Sequence, residues 1–176
     1  MAAGDIIILR EDAGNARKGN ILDGTDDYVL HDAHAVARVA AGDTVGTYTA
    51  WIYAEDVDTA GALAILSAGD NDNANEYLLF YMHEGHLKIE LKHGGAVQFN
   101  IFETGTSIQS KTWTHVAIVL DNGNDDEIFI NGKSVASSAL SIPFVGNSKD
   151  LYLGGDYNNE NHFNGYISDF KIWNSS

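Results

Sequence analysis

The segment TWTHVAIVLDNGNDDEIFINGKSVAS, residues 112–137, decides the fold. Its two apolar runs, WTHVAIVL and EIFIN, are separated by the polar stretch DNGNDD. An Asn-Gly pair between two β-prone runs favours a tight turn, because both residues tolerate positive φ. A second Asn-Gly pair, Asn131-Gly132, precedes a third run. Two successive hairpins predict an antiparallel sheet.

The rest of the chain repeats this pattern of short apolar runs and polar turns. In residues 86–92, Leu87, Ile89 and Leu91 alternate with charged side chains, as in a strand with one buried face. Turn signals recur at roughly 8–12 residues. We predict an all-β, two-sheet antiparallel sandwich of the jelly-roll type, with at most one short helix, at 32–41. The predicted strands are 6–10, 27–31, 46–54, 63–67, 76–82, 86–92, 96–102, 113–120, 127–131, 134–138, 150–154 and 163–173.

The composition fits one domain that folds without disulfides. The chain has 176 residues and no cysteine, so its stability must come from packing and backbone hydrogen bonds. The stretch EDAGNARKGN, residues 11–20, differs in character from the rest because it is polar and contains two glycines. We therefore predict an N-terminal arm at 1–20 and a globular domain at 21–176.

The charge of the chain excludes some partners. A net charge of −15, from 25 acidic and 10 basic residues, repels nucleic acid and anionic membranes, and we expect neither as a partner. The start MAAGDIIILR has no basic region before its apolar run. We therefore predict no signal peptide, and any extracellular role would need another export route.

Five ordered motifs resemble the laminin-G-like members of the concanavalin A-like lectin/glucanase superfamily. They are LDGTDDYV at 22–29, YTAWIYAED at 48–56, the pair ILSAGD and EYLLFYMHEGHLKIEL at 65–91, the segment 112–137, and LYLGGDYNNENHFNGYISDFKIWN at 151–174. The resemblance implies a concanavalin A-like jelly roll. It leaves the function open, since this fold carries lectins, hydrolases and structural modules.

The N-terminus carries a second resemblance. AAGDIIILREDAGN, at 2–15, is similar to the start of tailed-phage structural proteins. It implies a virion-surface protein, in capsid decoration or tail, whose partners are major capsid or tail proteins or further copies of itself. The arm would dock by adding a strand to a partner sheet. The predicted docking residues are Ile6, Ile7, Ile8, Leu9 and Arg10.

Catalysis is not expected. Glycoside hydrolysis needs two carboxylates that flank one bond, and Glu90, on the best candidate strand, has no second carboxylate two or four residues away. The seven histidines show no metal-ligand spacing. We predict a non-enzymatic binding or structural module, and in first place a phage virion-surface protein with a lectin-like fold. A carbohydrate-binding lectin or adhesion module, with or without calcium, is the alternative. A glycoside hydrolase is the weakest interpretation.

A structural calcium ion is the one cofactor that we consider, and the chain does not require it. The resemblance places Asp23 and Asp169 near the position where relatives hold calcium, although Ser168 stands where an acidic residue is frequent. Carboxylate and carbonyl oxygens suit this hard cation. An equally good interpretation is that these Asp residues only form turns.

Three loops at 70–75, 121–126 and 156–161 are rich in Asp and Asn. Such residues also form turns through their own backbone, but a cluster of these loops would offer a polar rim to sugar hydroxyls. The aromatic residues on strands are expected to pack in the core. The predicted ligand-binding residues are Asp70, Asp72, Asn73, Tyr157, Asn159 and His162.

Overall fold

The computed structural model of the chain describes residues 19–31, 45–58, 61–69, 75–105, 107–121, 125–138 and 150–173. Every regular element in these ranges is a β-strand. None of the described residues belongs to a helix long and apolar enough to cross a membrane.

Within the described residues, two six-stranded antiparallel sheets form the sandwich. The strands of the first sheet, in spatial order, are β1 (Asn20–Asp23), β12 (Asn164–Trp173), β3 (Gly46–Ala54), β8 (Thr114–Leu120), β9 (Asp126–Ile130) and β10 (Lys133–Ser138). Those of the second are β2 (Val29–Leu30), β11 (Asp150–Leu153), β4 (Ala62–Gly69), β5 (Tyr77–His83), β6 (His86–His93) and β7 (Ala96–Phe102). The predicted all-β jelly-roll sandwich is confirmed.

The core lies between the inner faces of the two sheets. In β6, Leu87, Ile89 and Leu91 are buried, as the alternation predicts. In β3, Tyr48 and Ile52 point into the same core. The largest fully buried side chains come from both sheets and from the loop before β12: Phe163, Phe170, Ile52, Ile65, Leu66, Leu78, Met82, Leu87, Ile89, Ile118, Ile128 and Leu151.

The hairpin between β9 and β10 has the turn that the sequence predicts. Asn131 has φ 51° and Gly132 has φ 76°, so both central residues adopt the left-handed conformation that a two-residue hairpin requires. The Asn131 side chain also accepts a hydrogen bond from the His115 backbone N–H at 3.0 Å. The turn therefore ties β8, β9 and β10 together.

The predicted strand limits differ from the observed ones mainly at the start of the chain. The strand expected at 27–31 is only the pair Val29–Leu30, which ends the second sheet beside β11. A separate short strand, β1, pairs with β12 at the edge of the first sheet. The strand expected at 6–10 and the helix expected at 32–41 lie outside the described residues.

Candidate functional site

An aromatic pocket lies on the outer face of the first sheet. It has a volume of about 240 Å³ and is lined by Tyr53, Glu55, Trp113 and Tyr166. We call these four residues the aromatic pocket. Drug-sized ligands occupy pockets of roughly 300–1,000 Å³, so this one has room for a single ring or a terminal group.

Strand register brings the three rings together. Tyr53, near the end of β3, pairs directly with Tyr166 on β12. On its other side β3 pairs with β8, and Ile52 lies opposite Thr114. Trp113, the residue before Thr114, therefore lies beside Tyr53 at the same level of the sheet.

The rings meet at steep angles. The Tyr53 and Tyr166 centroids are 5.5 Å apart at an interplanar angle of 85°, an edge-to-face contact. Trp113 lies 5.5 Å from Tyr53 at 53° and 6.2 Å from Tyr166 at 54°. All three side chains are half-buried. Since the rings are not stacked flat on one another, they form walls instead of a closed layer.

The fourth lining residue adds a negative charge. Glu55 follows β3 directly, and its backbone N–H donates to the Asn164 carbonyl at 3.0 Å. The Lys111 ammonium lies 3.9 Å from the Glu55 carboxylate, and both side chains are exposed. The Lys111 backbone N–H donates to the Ala54 carbonyl at 2.7 Å. These backbone bonds hold the rim of the pocket in place.

The expectation that strand aromatics pack in the core is wrong for Tyr53, Trp113 and Tyr166. Because side chains alternate along a strand, Tyr53 lies on the face opposite Tyr48 and Ile52, which are the core residues of β3. The alternation in residues 46–54 was the signal that could have placed Tyr53 outside the core. Nothing in the local sequence shows that Trp113 and Tyr166 lie beside it.

The second sheet carries a different aromatic surface, the tyrosine–lysine face (Tyr77, Tyr81, Lys88, Lys92 and Tyr157). The rings of Tyr77 and Tyr157 stack at 4.5 Å and 15°. The Lys88 ammonium lies 5.4 Å from the Tyr81 centroid, and that of Lys92 lies 5.8 Å from the Tyr77 centroid. The side chains of this face therefore lie against one another.

Glu90 belongs to the same side of β6 as Lys88 and Lys92. Its carboxylate accepts hydrogen bonds from the Tyr77 hydroxyl and from the Asn100 amide. Burial, followed by the bond to Glu90, raises the pKa of the Tyr77 hydroxyl above its usual range. The carboxylate that was considered for hydrolysis thus forms a hydrogen-bonded network with its neighbours.

Three of the predicted ligand-binding residues lie in the loop between β11 and β12. Tyr157 is half-buried in its stack on Tyr77, and Asn159 is exposed with φ 59°. The backbone N–H of Asn159 donates to the Asp156 carbonyl at 3.1 Å, which fits the turn-forming role of Asx residues. The other three predicted residues, Asp70, Asp72 and Asn73, lie outside the described residues.

His162 lies beside Tyr28, the residue that precedes β2. Its Nε2 lies 3.2 Å from the Asn159 carbonyl, and its ring faces that of Tyr28 at 6.4 Å. Its Nδ1 is buried and has no hydrogen-bond partner among the residues that the structure describes. Of the predicted loop residues, the structure brings His162 and Asn159 into contact and places Tyr157 against another strand.

The predicted calcium ligands Asp23 and Asp169 are not brought together. Asp23 lies opposite Asn164 in the β1–β12 pair, five positions from Asp169, or roughly 16 Å along an extended strand. The Asp169 carboxylate instead accepts hydrogen bonds from the Lys171 ammonium. The expectation that Asp23 and Asp169 share one site is therefore wrong.

Asp23 has other carboxylates beside it. One carboxylate oxygen of each of Asp23, Asp26 and Asp27 lies within 4.8 Å of the others, and all three residues are exposed. The Asp23 carboxylate accepts from the Thr25 N–H at 2.8 Å, and that of Asp27 accepts from the Asp23 N–H at 3.1 Å. These bonds explain the cluster as a turn, and calcium binding stays a prediction. The predicted docking residues 6–10 lie outside the described residues.

Comparisons with known proteins agree with this architecture. The comparison with curated protein sequences finds no match. Among solved structures, the CBM40 domain of the Ruminococcus gnavus IT-sialidase has a TM-score of 0.74 at 16% identity, over 91% of this chain and 92% of that domain. The leech intramolecular trans-sialidase gives 0.74 at 18% identity, and the Streptococcus pneumoniae NanB sialidase 0.73 at 14%.

The match to the leech enzyme includes 92% of this chain, and the match to NanB includes 90%. This chain spans only 26% of the length of each sialidase. At these identities the matches show the fold alone. A laminin G family model, described as concanavalin A-like lectin/glucanases superfamily, matches residues 23–176. The chain therefore belongs to the laminin-G-like family of the concanavalin A-like lectin/glucanases superfamily.

Proposed function

We propose that this chain is a carbohydrate-binding module that does not catalyse a reaction, and that the aromatic pocket holds one sugar ring. The observation that carries the proposal is the set of three half-buried rings, Tyr53, Trp113 and Tyr166, around a pocket of about 240 Å³. Binding sites for small ligands combine aromatic walls with a few polar groups that fix orientation. Here the rings offer apolar surface to sugar C–H groups, and Glu55 offers a hydrogen-bond acceptor to hydroxyl groups.

The structural neighbours support glycans as the ligand class. The Ruminococcus gnavus CBM40 domain has been solved bound to α2,3- and α2,6-sialyllactose. That domain has nearly the same extent as this chain, whereas this chain spans only 26% of the leech trans-sialidase. The fold thus occurs as a sugar-binding unit of this size.

The number of carboxylates in the pocket supports binding without hydrolysis. Glycosidases place two carboxyl groups roughly 5–9 Å apart across the scissile bond. The described residues that line the aromatic pocket include one carboxylate, Glu55. We expect that a glycan which binds is recovered intact after prolonged incubation, and a released monosaccharide would contradict this part of the proposal.

The test is a glycan array followed by calorimetry with the best ligand, using wild type and Trp113→Ala. We expect Trp113→Ala to weaken binding at least about tenfold, because aromatic anchors carry much of the binding energy in such sites. Trp173→Ala is the matched control. It removes another tryptophan from β12 of the same sheet, seven positions from Tyr166, and Trp173 is 42% exposed. Equal losses for the two variants, or no binding to any glycan, would contradict the proposal.

The virion-surface role remains a separate prediction with its own test. It rests on residues 2–15, which lie outside the described part of the chain. Deletion of residues 1–20 should abolish incorporation into particles while the sandwich still folds. Unchanged incorporation would contradict the docking role of Ile6 to Arg10.

A further inference from the structure

The charges of the residues around the aromatic pocket restrict which sugars it can bind. The four lining residues include three π-systems and one carboxylate, and no basic side chain. An aromatic face carries negative electrostatic potential and attracts cations. The pocket also belongs to a chain with net charge −15, which raises the local concentration of cations.

Lys111 shows that an ammonium group fits beside Glu55. The two charged groups lie 3.9 Å apart, whereas a charge-assisted hydrogen bond is about 2.7–2.9 Å long. The Lys111 side chain is 67% exposed, and exposed ion pairs contribute little stability. A ligand ammonium that approaches Glu55 more closely therefore displaces Lys111 at small cost.

We infer that the aromatic pocket selects an amino sugar with a free ammonium group, such as glucosamine. This inference rests on the proposed function, since it names the sugar class of the same pocket. The sugar ring packs against Tyr53, Trp113 and Tyr166, and its ammonium pairs with Glu55. N-acetylation removes the charge and leaves the ring. A carboxylate sugar places a second negative charge beside Glu55, which is unfavourable.

The test compares three probes by calorimetry at about 150 mM salt, where long-range attraction is screened. They are a β-1,4-linked glucosamine tetrasaccharide, its fully N-acetylated counterpart, and 3′-sialyllactose. We expect the glucosamine probe to bind about tenfold more tightly than the N-acetylated one, in line with one cation–π contact and one ion pair. Sialyllactose should bind most weakly.

Two glutamate variants test whether Glu55 carries the preference. Glu55→Gln should reduce the preference for the free ammonium from about tenfold to about threefold, because the cation–π contact with the rings remains. Glu127→Gln, the matched control, removes the same charge from the same sheet at the position paired with Val119, about 20 Å along β8 from Trp113. It should keep the preference. Thermal unfolding of each variant confirms that the sheet is intact.

The other outcomes overturn either this inference alone or the proposed function as well. Equal binding of the acetylated and free forms, or tighter binding of sialyllactose, overturns the inference but leaves the proposed function standing. Binding of the glucosamine probe that survives Trp113→Ala and falls equally in both glutamate variants shows unspecific attraction to an acidic chain, and also overturns it. Failure of all glycans to bind overturns both.

Discussion

The aromatic pocket and the tyrosine–lysine face lie on opposite outer faces of one sandwich, and they differ in what covers their rings. On the tyrosine–lysine face, Tyr77 stacks flat on Tyr157 at 15° and also has the Lys92 ammonium at 5.8 Å. In the pocket, Tyr53 and Tyr166 meet at 85°. A flat stack covers a ring face, whereas an edge-on contact leaves part of it for a ligand. Aromatic content alone therefore does not identify a binding face.

The two faces also differ in charge. Lys88, Glu90 and Lys92 alternate along β6, and the lysines lie over tyrosine rings of their own sheet. The pocket has Glu55, and its cation, Lys111, is at the rim and exposed. Lysine ammonium groups of the chain thus already lie over rings of the tyrosine–lysine face. The aromatic pocket remains suited to a cation that a ligand supplies.

The largest effect is expected from Gly165→Ala, which would disrupt the sheet that carries the pocket. Gly165 has φ 143°, and a Cβ there would lie 2.0 Å from the Tyr53 carbonyl oxygen. The backbones of β3 and β12 must separate to admit the methyl group. We expect a loss of at least about 3 kcal/mol in the free energy of unfolding, measured by urea denaturation.

Gly69→Ala is the control from the second sheet. Its added Cβ would meet the Tyr157 side chain at 2.8 Å, and a side chain can move more easily than a paired backbone. We expect a smaller loss, about 1 kcal/mol. A loss as large as that of Gly165→Ala would mean that the Tyr157 stack is as rigid as the β3–β12 pair.

Tyr157→Ala should produce the next largest effect, on stability and not on glycan binding. The substitution removes a half-buried ring from its stack on Tyr77, and we expect a cost of about 2 kcal/mol. Tyr157→Phe keeps the ring and should cost less than about 0.5 kcal/mol. Chemical denaturation measures the change in stability, and glycan titration of the same samples measures the change in binding. Weaker glycan binding by Tyr157→Ala at unchanged stability would instead place the sugar on the tyrosine–lysine face.

Most of the fold could be predicted from the sequence, because alternation shows directly which side chains are buried. Leu87, Ile89 and Leu91 follow from the pattern of a single strand, and the Asn131-Gly132 turn follows from two residues. The aromatic pocket depends on which strands are neighbours. Tyr53, Trp113 and Tyr166 come from three distant segments, and their contact follows only from the order β12–β3–β8. The prediction that Asp23 and Asp169 share one site is wrong for the same reason, because the register of β1 on β12 separates the two residues.

The smallest of these effects concerns the buried carboxyl group of the first sheet. Asp126, at the start of β9, is 3% exposed. Burial raises the pKa of its carboxyl group to about 6, the negative charges of Asp121 and Asp125 add to the rise, and a hydrogen bond from the Asp121 N–H opposes it. The folded state thus binds this proton more tightly than the unfolded state. The contribution of this group to stability is largest while Asp126 is protonated and falls as the pH rises from about 4 to about 6.

Asp126→Asn should remove this part of the pH dependence, because the amide stays neutral and its oxygen still accepts the Asp121 N–H. At pH 7 we expect the variant to be about 1 kcal/mol more stable than wild type. Asp125→Asn is the matched control, since it removes a neighbouring charge from an exposed site. Denaturation at pH 4, 5, 6 and 7 gives the comparison. If the two variants gain equally at pH 7, the gain comes from the lower net charge of the acidic chain, and burial of Asp126 in the first sheet costs nothing measurable.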